Sequence, residues 1–245
     1  MIKLQVSVGH FPMQPIAINY NPTVIPYKLL DTATEHGTTL KLYQRGRDFA
    51  IRVDKVGELM NTSQHNSEEA LARLACEHVT GIVNPRLLIG GLGLGYTLAE
   101  ALTHTGPTAT IVVSELMPSV VRWNRKHFGI VAGFPLLDER VEIIEQDVGR
   151  VMKENKNSFD AIMLDVDNGP DGFTRDDNDS LYGLHGLNNA YDALKPGGVL
   201  TVWSAFKDDA FTQRMLKVGF RVKEESVRAR SSKRGTKHNI WIGIR

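Results

Sequence analysis

Cysteine is almost absent from this 245-residue chain, with Cys76 as its single example. A disulfide within the chain and a multi-cysteine metal site are therefore both excluded. No apolar run approaches the ~18 residues that a membrane span needs. Met1 to Asn21 lack the basic-then-apolar order of a secretory signal. Excess charge of either sign is missing too. The 29 Lys and Arg residues face 28 Asp and Glu, for a formal net charge of +1, which argues against a strongly electrostatic nucleic-acid or membrane binder. The histidines show no metal-ligand spacing, so no metal is expected. These absences lead us to expect a soluble, cytoplasmic protein. What is present is 42% hydrophobic and 23% charged residues, enough to bury a full core. At this length the expectation is one large domain with a small appendage.

The chain divides near residue 85. Pro12, Pro15, Pro22 and Pro26 interrupt regular structure, so residues 1–26 read as a leader or arm. Residues 27–84 read as a β-hairpin region followed by a helix. Strand-like stretches run Tyr27–Leu30, Thr39–Gln44, Phe49–Val53 and Glu58–Asn61, with Arg45-Gly46-Arg47-Asp48 as a hairpin turn. A helix is expected from Ser67 to His78, with Ser67 as N-cap and Leu71, Leu74 and Ala75 on its apolar face.

Residues 85–245 alternate between strand and helix. Strands are expected at Leu87–Ile89, Ala109–Val113, Val141–Ile144, Ala161–Leu164 and Val199–Trp203. Helices are expected at Tyr96–Leu102, Pro118–His127, His185–Leu194 and Asp208–Lys217, the third closed by Lys195-Pro196-Gly197-Gly198. This alternation argues for a parallel sheet covered on both faces. The pattern then breaks: Gly219–Arg230 and His238–Ile244 have no helix between them, so they must pair as an antiparallel hairpin. The fold class expected is α/β, a Rossmann-like sheet of the S-adenosylmethionine methyltransferase type ending in an antiparallel hairpin, with a small N-terminal β-appendage.

The stretch Leu87 to Gly95 carries the strongest local signal. A buried strand runs into Gly90, Gly91, Gly93 and Gly95 and then into a helix. Glycine allows the tight turn and the close approach of a ligand. The dinucleotide spacing would demand a small residue where Tyr96 stands, and no phosphate-binding loop ending in Gly-Lys-Ser/Thr is present. Gly91, Gly93 and Gly95 instead space as in sites for S-adenosylmethionine-type nucleosides. Glu115, at the end of the second strand of this region, suits a ribose diol; its plain alternative is a solvent-facing acid. Asp147, after the third, suits the adenine amino group, with the Val148 N–H for a ring nitrogen; its plain alternative is a helix cap.

Asp165 ends the fourth strand, where a reacting group should face the sulfonium carbon. Between Asp165 and Ser180 stand six aspartates and one arginine, a charge pattern that favours a cationic substrate. Asp167 and Asn168 in this loop, Gln64 and His65 before the first helix, and Tyr182 after the loop are candidates to meet that substrate. His185 and Trp203 fit helix entry and core packing at least as well. The basic residues Arg228, Arg230, Lys233, Arg234 and Lys237 suit a solvated turn.

Together these stretches resemble the spermidine synthase-like (polyamine aminopropyltransferase) family. The resemblance rests on Gly57-Glu58-Leu59, Ser67-Glu68-Glu69-Ala70, Ile89–Gly95, Val113-Ser114-Glu115, Glu145-Gln146-Asp147, Phe159–Asp171 and Leu194–Gly198. It implies decarboxylated S-adenosylmethionine as donor, methylthioadenosine as product, a small cationic amine as acceptor and a homodimer. It also implies that Asp165 takes the amine proton, Glu115 holds ribose and Asp147 holds adenine. Three positions depart from the family pattern. Asn168 stands where the family has a second Asp, Gly93 or Leu94 where it has an Asp toward the donor's amine end, and Ser67 where it has a Tyr. The cofactor half of the pattern is kept and the diamine half altered. Two alternatives therefore stay open: a methyltransferase using intact S-adenosylmethionine and releasing S-adenosylhomocysteine, or a non-catalytic nucleoside-binding relative.

Overall fold

The computed structural model describes residues 25–166, 181–229 and 236–245. Four antiparallel strands come first: β1 (Lys28–Glu35), β2 (Thr38–Arg45), β3 (Asp48–Val53) and β4 (Gly57–Asn61). They form a meander in sequence order, and the Gly46-Arg47 turn joins β2 to β3 as expected. Alternation along β2 buries Leu40 and Leu42 on one face.

The second sheet has seven strands in the order β10-β11-β9-β8-β5-β6-β7. These are β5 (Arg86–Gly90), β6 (Thr110–Ser114), β7 (Val141–Ile144), β8 (Phe159–Leu164), β9 (Leu194–Ser204), β10 (Arg221–Arg228) and β11 (Lys237–Ile244). β5 to β9 pair in parallel, and β11 inserts antiparallel between β9 and β10. The terminal hairpin expected from the missing helix is thus present, and its last strand lies inside the sheet. The helices are α1 (Asn66–Glu77), α2 (Tyr96–Thr103), α3 (Pro118–Trp123), α4 (Val148–Glu154), α5 (Leu184–Ala193) and α6 (Asp209–Val218). All six residues of β8 are buried, as a strand covered on both faces should be.

Three local expectations are corrected. Ser67 is not the N-cap of α1. His65 holds that position, while Ser67 lies inside the first turn, fully buried, with its hydroxyl engaged elsewhere. The helix from Pro118 keeps its α form only to Trp123. Asn124–Phe128 forms a π turn and Gly129–Ala132 a 3₁₀ turn. There the buried Asn124 amide donates to the Leu94 carbonyl at 3.4 Å, and Gly129 packs where a Cβ would lie 2.6 Å from the Asn124 carbonyl oxygen. Lys195–Gly198 does not form a separate turn after α5. It lies within β9, where the partner of β8 jumps from Leu194 to Val199 between Phe159 and Ala161.

The small sheet is tied to the large one by β1. The Trp123 indole donates to Asp31 Oδ2 at 2.7 Å, and the Ser119 N–H and hydroxyl donate to Glu35 Oε2 at 3.1 and 2.8 Å. Leu40, Leu42, Phe49 and Ile51 share one core with α1 and with Ile89, Val113 and Met163 of the large sheet. Burial of that shared core holds the meander over the carboxyl ends of the parallel strands.

Candidate active site

A cavity of about 420 Å³ opens at those carboxyl ends. Ligands in open α/β sheets bind at this position because the strand-to-helix turns there expose backbone and side chains together. One wall comes from Gly91, Gly93, Glu115, Asp147, Val148 and Asp165. The facing wall comes from the small sheet, through Thr38, Leu40, Val53, Leu59 and Met60. Leu116, Met117 and Val120 close the apolar side. Reading the sequence missed these apolar residues, because nothing local shows that a meander 30 residues upstream folds back over the glycine turn.

The glycine turn is shaped by its neighbours. Gly91 has φ of +86°, and a Cβ there would stand 2.3 Å from the Asp165 carbonyl oxygen. Its N–H donates to the Ser114 carbonyl at 2.8 Å. Gly93 lines the cavity at φ +51°, facing the Met60 sulfur. Gly90 and Gly95 are set back from the cavity wall. Gly90 is the last residue of β5, packed on Val148, and Gly95 caps α2 in the left-handed region.

Glu115 is 7% exposed, so it is not a solvent-facing acid. Oε2 accepts from the Leu92 N–H and Oε1 from the Met117 N–H, both at 2.8 Å. The carboxylate thereby fixes the glycine turn to the end of β6. Asp147 is both helix cap and cavity wall: Oδ1 accepts from the Arg150 N–H at 2.9 Å. Val148 opens α4 with its side chain in the core.

Asp165 follows β8 at the cavity floor. Its N–H donates to the Gly90 carbonyl at 2.9 Å, and its Oδ2 accepts from the Thr97 hydroxyl at 2.6 Å. The side chain is half-buried at the cavity floor, and its partial removal from water raises its pKa above the usual carboxylate range, a rise that the Thr97 hydrogen bond partly offsets. Glu68, in the first turn of α1, is its acidic neighbour. Burial first and the charge of Asp165 second push the Glu68 carboxyl upward. Ser67 sits between Glu68 and His238: its Oγ lies 2.8 Å from Glu68 Oε2 and 2.8 Å from His238 Nδ1. Burial lowers the His238 pKa. Two interacting acids titrate as a pair. In the sequence Glu68 stands out only within the Ser67-Glu68-Glu69-Ala70 stretch. Its approach to Asp165 depends on how α1 packs on the large sheet.

The expected substrate residues are placed unevenly. His65 stacks on Tyr96, ring centroids 4.4 Å apart, and its Nδ1 lies 2.8 Å from Glu69 Oε1. Gln64 is half-buried beside it, and neither lies in the cavity wall. Tyr182 is 1% exposed and lies in the core, where its hydroxyl donates to the Val166 carbonyl at 3.2 Å. It therefore braces the backbone just after Asp165 from behind. Asp167 and Asn168 lie outside the described residues, as do the other loop aspartates. His185 is exposed, and Trp203 packs edge-on against His238. Among the described residues, no group of acids, histidines and cysteines is arranged to hold a metal ion, and no helix is long and apolar enough to cross a membrane.

Sheet order, glycine turn and acids at the ends of β6, β7 and β8 define a Rossmann-like α/β fold with a cavity at the carboxyl ends of its parallel strands. The profile of the spermine/spermidine synthase domain family matches residues 66–217, more than half of the chain, and the chain belongs to that family. A polyamine aminopropyltransferase of Oceanobacillus iheyensis is 22% identical over 204 residues, 82% of this chain but 38% of that one. One from a Thermoanaerobacter species is 30% identical over 138 residues, 55% of this chain and 46% of that one. The chain thus spans less than half the length of these relatives. In fold, spermidine synthase from Thermotoga maritima superposes with a TM-score of 0.70 at 20% identity, covering 88% of this chain and 72% of that one. A spermidine synthase in complex with the transition-state analogue AdoDATO gives 0.69 at 19% identity over the same shares.

Proposed function

We propose that this chain transfers an aminopropyl group from decarboxylated S-adenosylmethionine to a small amine, with Asp165 as general base. The observation that carries the reading is the placement of Asp165: a half-buried carboxyl of raised pKa on the floor of a nucleoside-sized cavity, beside the glycine turn. An amine attacks only through its lone pair, so a protonated acceptor must first lose a proton, and the attacking nitrogen must shed another as its new bond forms. A carboxylate whose pKa is displaced toward neutrality is suited to take such a proton.

The residues present fit the donor. Glu115 offers acceptors for two ribose hydroxyls, Asp147 an acceptor for the adenine amino group, and the Val148 N–H a donor for a ring nitrogen. Gly91 and Gly93 leave room at the backbone, and Met60, Leu116, Met117 and Val120 give the apolar surface that a purine requires. The donor, when bound, supplies the electrophilic carbon next to sulfur. Asp165 then orients and deprotonates the amine. The run of aspartates that follows Asp165 in the sequence favours a cationic acceptor. We place the protein in the cytoplasm on its composition, and as a homodimer, as the family resemblance implies.

Calorimetry with decarboxylated and intact S-adenosylmethionine tests the donor. Tighter binding of the decarboxylated form and of methylthioadenosine is expected. Preference for the intact form and for S-adenosylhomocysteine would move the assignment to a methyltransferase. Tight donor binding without turnover across a panel of di- and polyamines would leave a nucleoside-binding protein.

A further inference from the structure

Thr97 stands on the first turn of α2, 2% exposed, behind Asp165 and outside the cavity wall. Its hydroxyl has two acceptors within reach. Asp165 Oδ2 is 2.6 Å away, and the main-chain carbonyl oxygen of Glu68 is 3.4 Å away on the opposite element, α1. A hydroxyl carries one hydrogen and can also accept. The two partners therefore match two states of the acid. When Asp165 is ionised, the hydroxyl donates to Oδ2. When Oδ2 carries a proton, that O–H donates to Thr97 Oγ1, and the Thr97 hydrogen turns to the Glu68 carbonyl. Neither arrangement strands a buried polar group, which would otherwise be costly.

We propose that Thr97 is a positioning residue, a hydroxyl rotor that keeps Asp165 hydrogen-bonded both before and after it takes the amine proton. The inference rests on the reading of Asp165 as general base. In that step the amine nitrogen forms a bond to the sulfonium donor's carbon as the carbon–sulfur bond breaks toward sulfur. The amine proton ends on the Asp165 carboxyl, and when it settles on Oδ2 the Thr97 hydroxyl reorients to accept it. Glu68 of α1 is the acid whose charge reaches Asp165, and Glu115 from the end of β6 and Asp147 from the start of α4 line the same cavity. His238 of β11 reaches Glu68 through Ser67.

The test is a carboxyl ¹³C NMR titration of the ligand-free chain with Thr, Val or Ser at position 97. A Glu68→Gln background removes the neighbouring titration, and Asp165→Asn assigns the resonance. Thr97→Val should raise the Asp165 midpoint by about one pH unit, because a donor to the charged form is lost. Thr97→Ser should restore it. The carbonyl resonance of residue 68 should follow the Asp165 midpoint with Thr or Ser at position 97 and stay flat with Val. Near-UV circular dichroism checks the fold, and Thr97→Ala removes the same hydrogen bond should valine not fold. In turnover with decarboxylated S-adenosylmethionine and an amine, the acid limb of the pH–rate profile should move with the midpoint. An unchanged midpoint without the hydroxyl, or a residue-68 carbonyl blind to Asp165, would overturn the rotor even with turnover intact. Absence of turnover in the parent chain would instead overturn the transfer reading.

Discussion

The two ends of the large sheet treat their carboxylates in opposite ways. At the amino ends, Asp138 receives the Arg140 guanidinium at 2.8 and 2.9 Å and is held down to about 2. The same guanidinium donates to the carbonyls of Leu102, Thr105 and Gly106, locking the turn before β6. Asp160, 6% exposed, accepts from Lys195 Nζ at 2.7 Å and from the Arg86 N–H. At the carboxyl ends, Asp165 and Glu68 are held by hydroxyls, from Thr97 and Ser67, and both are pushed upward. A hydroxyl fixes an acid in place without fixing its charge, whereas a guanidinium fixes both. Asp138 is therefore built to stay ionised, and Asp165 and Glu68 to exchange a proton.

The largest effect should come from Asp165→Asn. It keeps the shape and removes the base, so the transfer rate should fall by ~10²–10⁴ while calorimetry still shows donor binding. An unchanged rate would end the contrast, since Asp165 would then be only a structural acid. Gly91→Ala comes next. Its Cβ would meet the Asp165 carbonyl at 2.3 Å, in a backbone region that disfavours side chains, so a loss of about 2–3 kcal/mol in denaturant unfolding is expected.

Glu68→Gln should act in the opposite direction. An acid whose folded pKa lies above its unfolded value supports folding at pH below about 4, and that support is lost as pH rises through the folded value. The substitution should therefore leave the melting temperature unchanged near pH 4 and raise it near pH 8, on the order of 1 kcal/mol. Asp138→Asn should be the smallest and of reverse sign. Its folded pKa lies below the unfolded one, so its support is present above about pH 4 and lost as pH falls toward 2. A loss of about 0.5 kcal/mol at pH 7, after screening at this partly exposed pair, should vanish in acid.

Much of the architecture was legible because it rests on local rules. The continuous apolar runs of β5, β6 and β8, the glycines after β5 and the missing helix before β11 each announce themselves within a few residues. The failures share a cause. Ser67 looks like a cap by composition, but tertiary packing turns its hydroxyl toward Glu68 and His238, 171 residues away. The helix from Pro118 has a suitable composition to His127, but Asn124 packs on the glycine turn and Gly129 packs on Asn124, and there the α period breaks. Lys195–Gly198 reads as a turn and becomes part of a strand because β8 lies alongside it.

The sequence by itself determined the strand–helix alternation, the nucleoside-type glycine spacing and the acids at the strand ends, since periodicity and backbone permissiveness are properties of neighbouring residues. Only the tertiary structure decided that the meander roofs the cavity, that Tyr182 braces the site from behind, and that Thr97 and Glu68 join Asp165. Those outcomes depend on which distant surfaces bury one another, and burial sets both the position and the proton affinity of each acid.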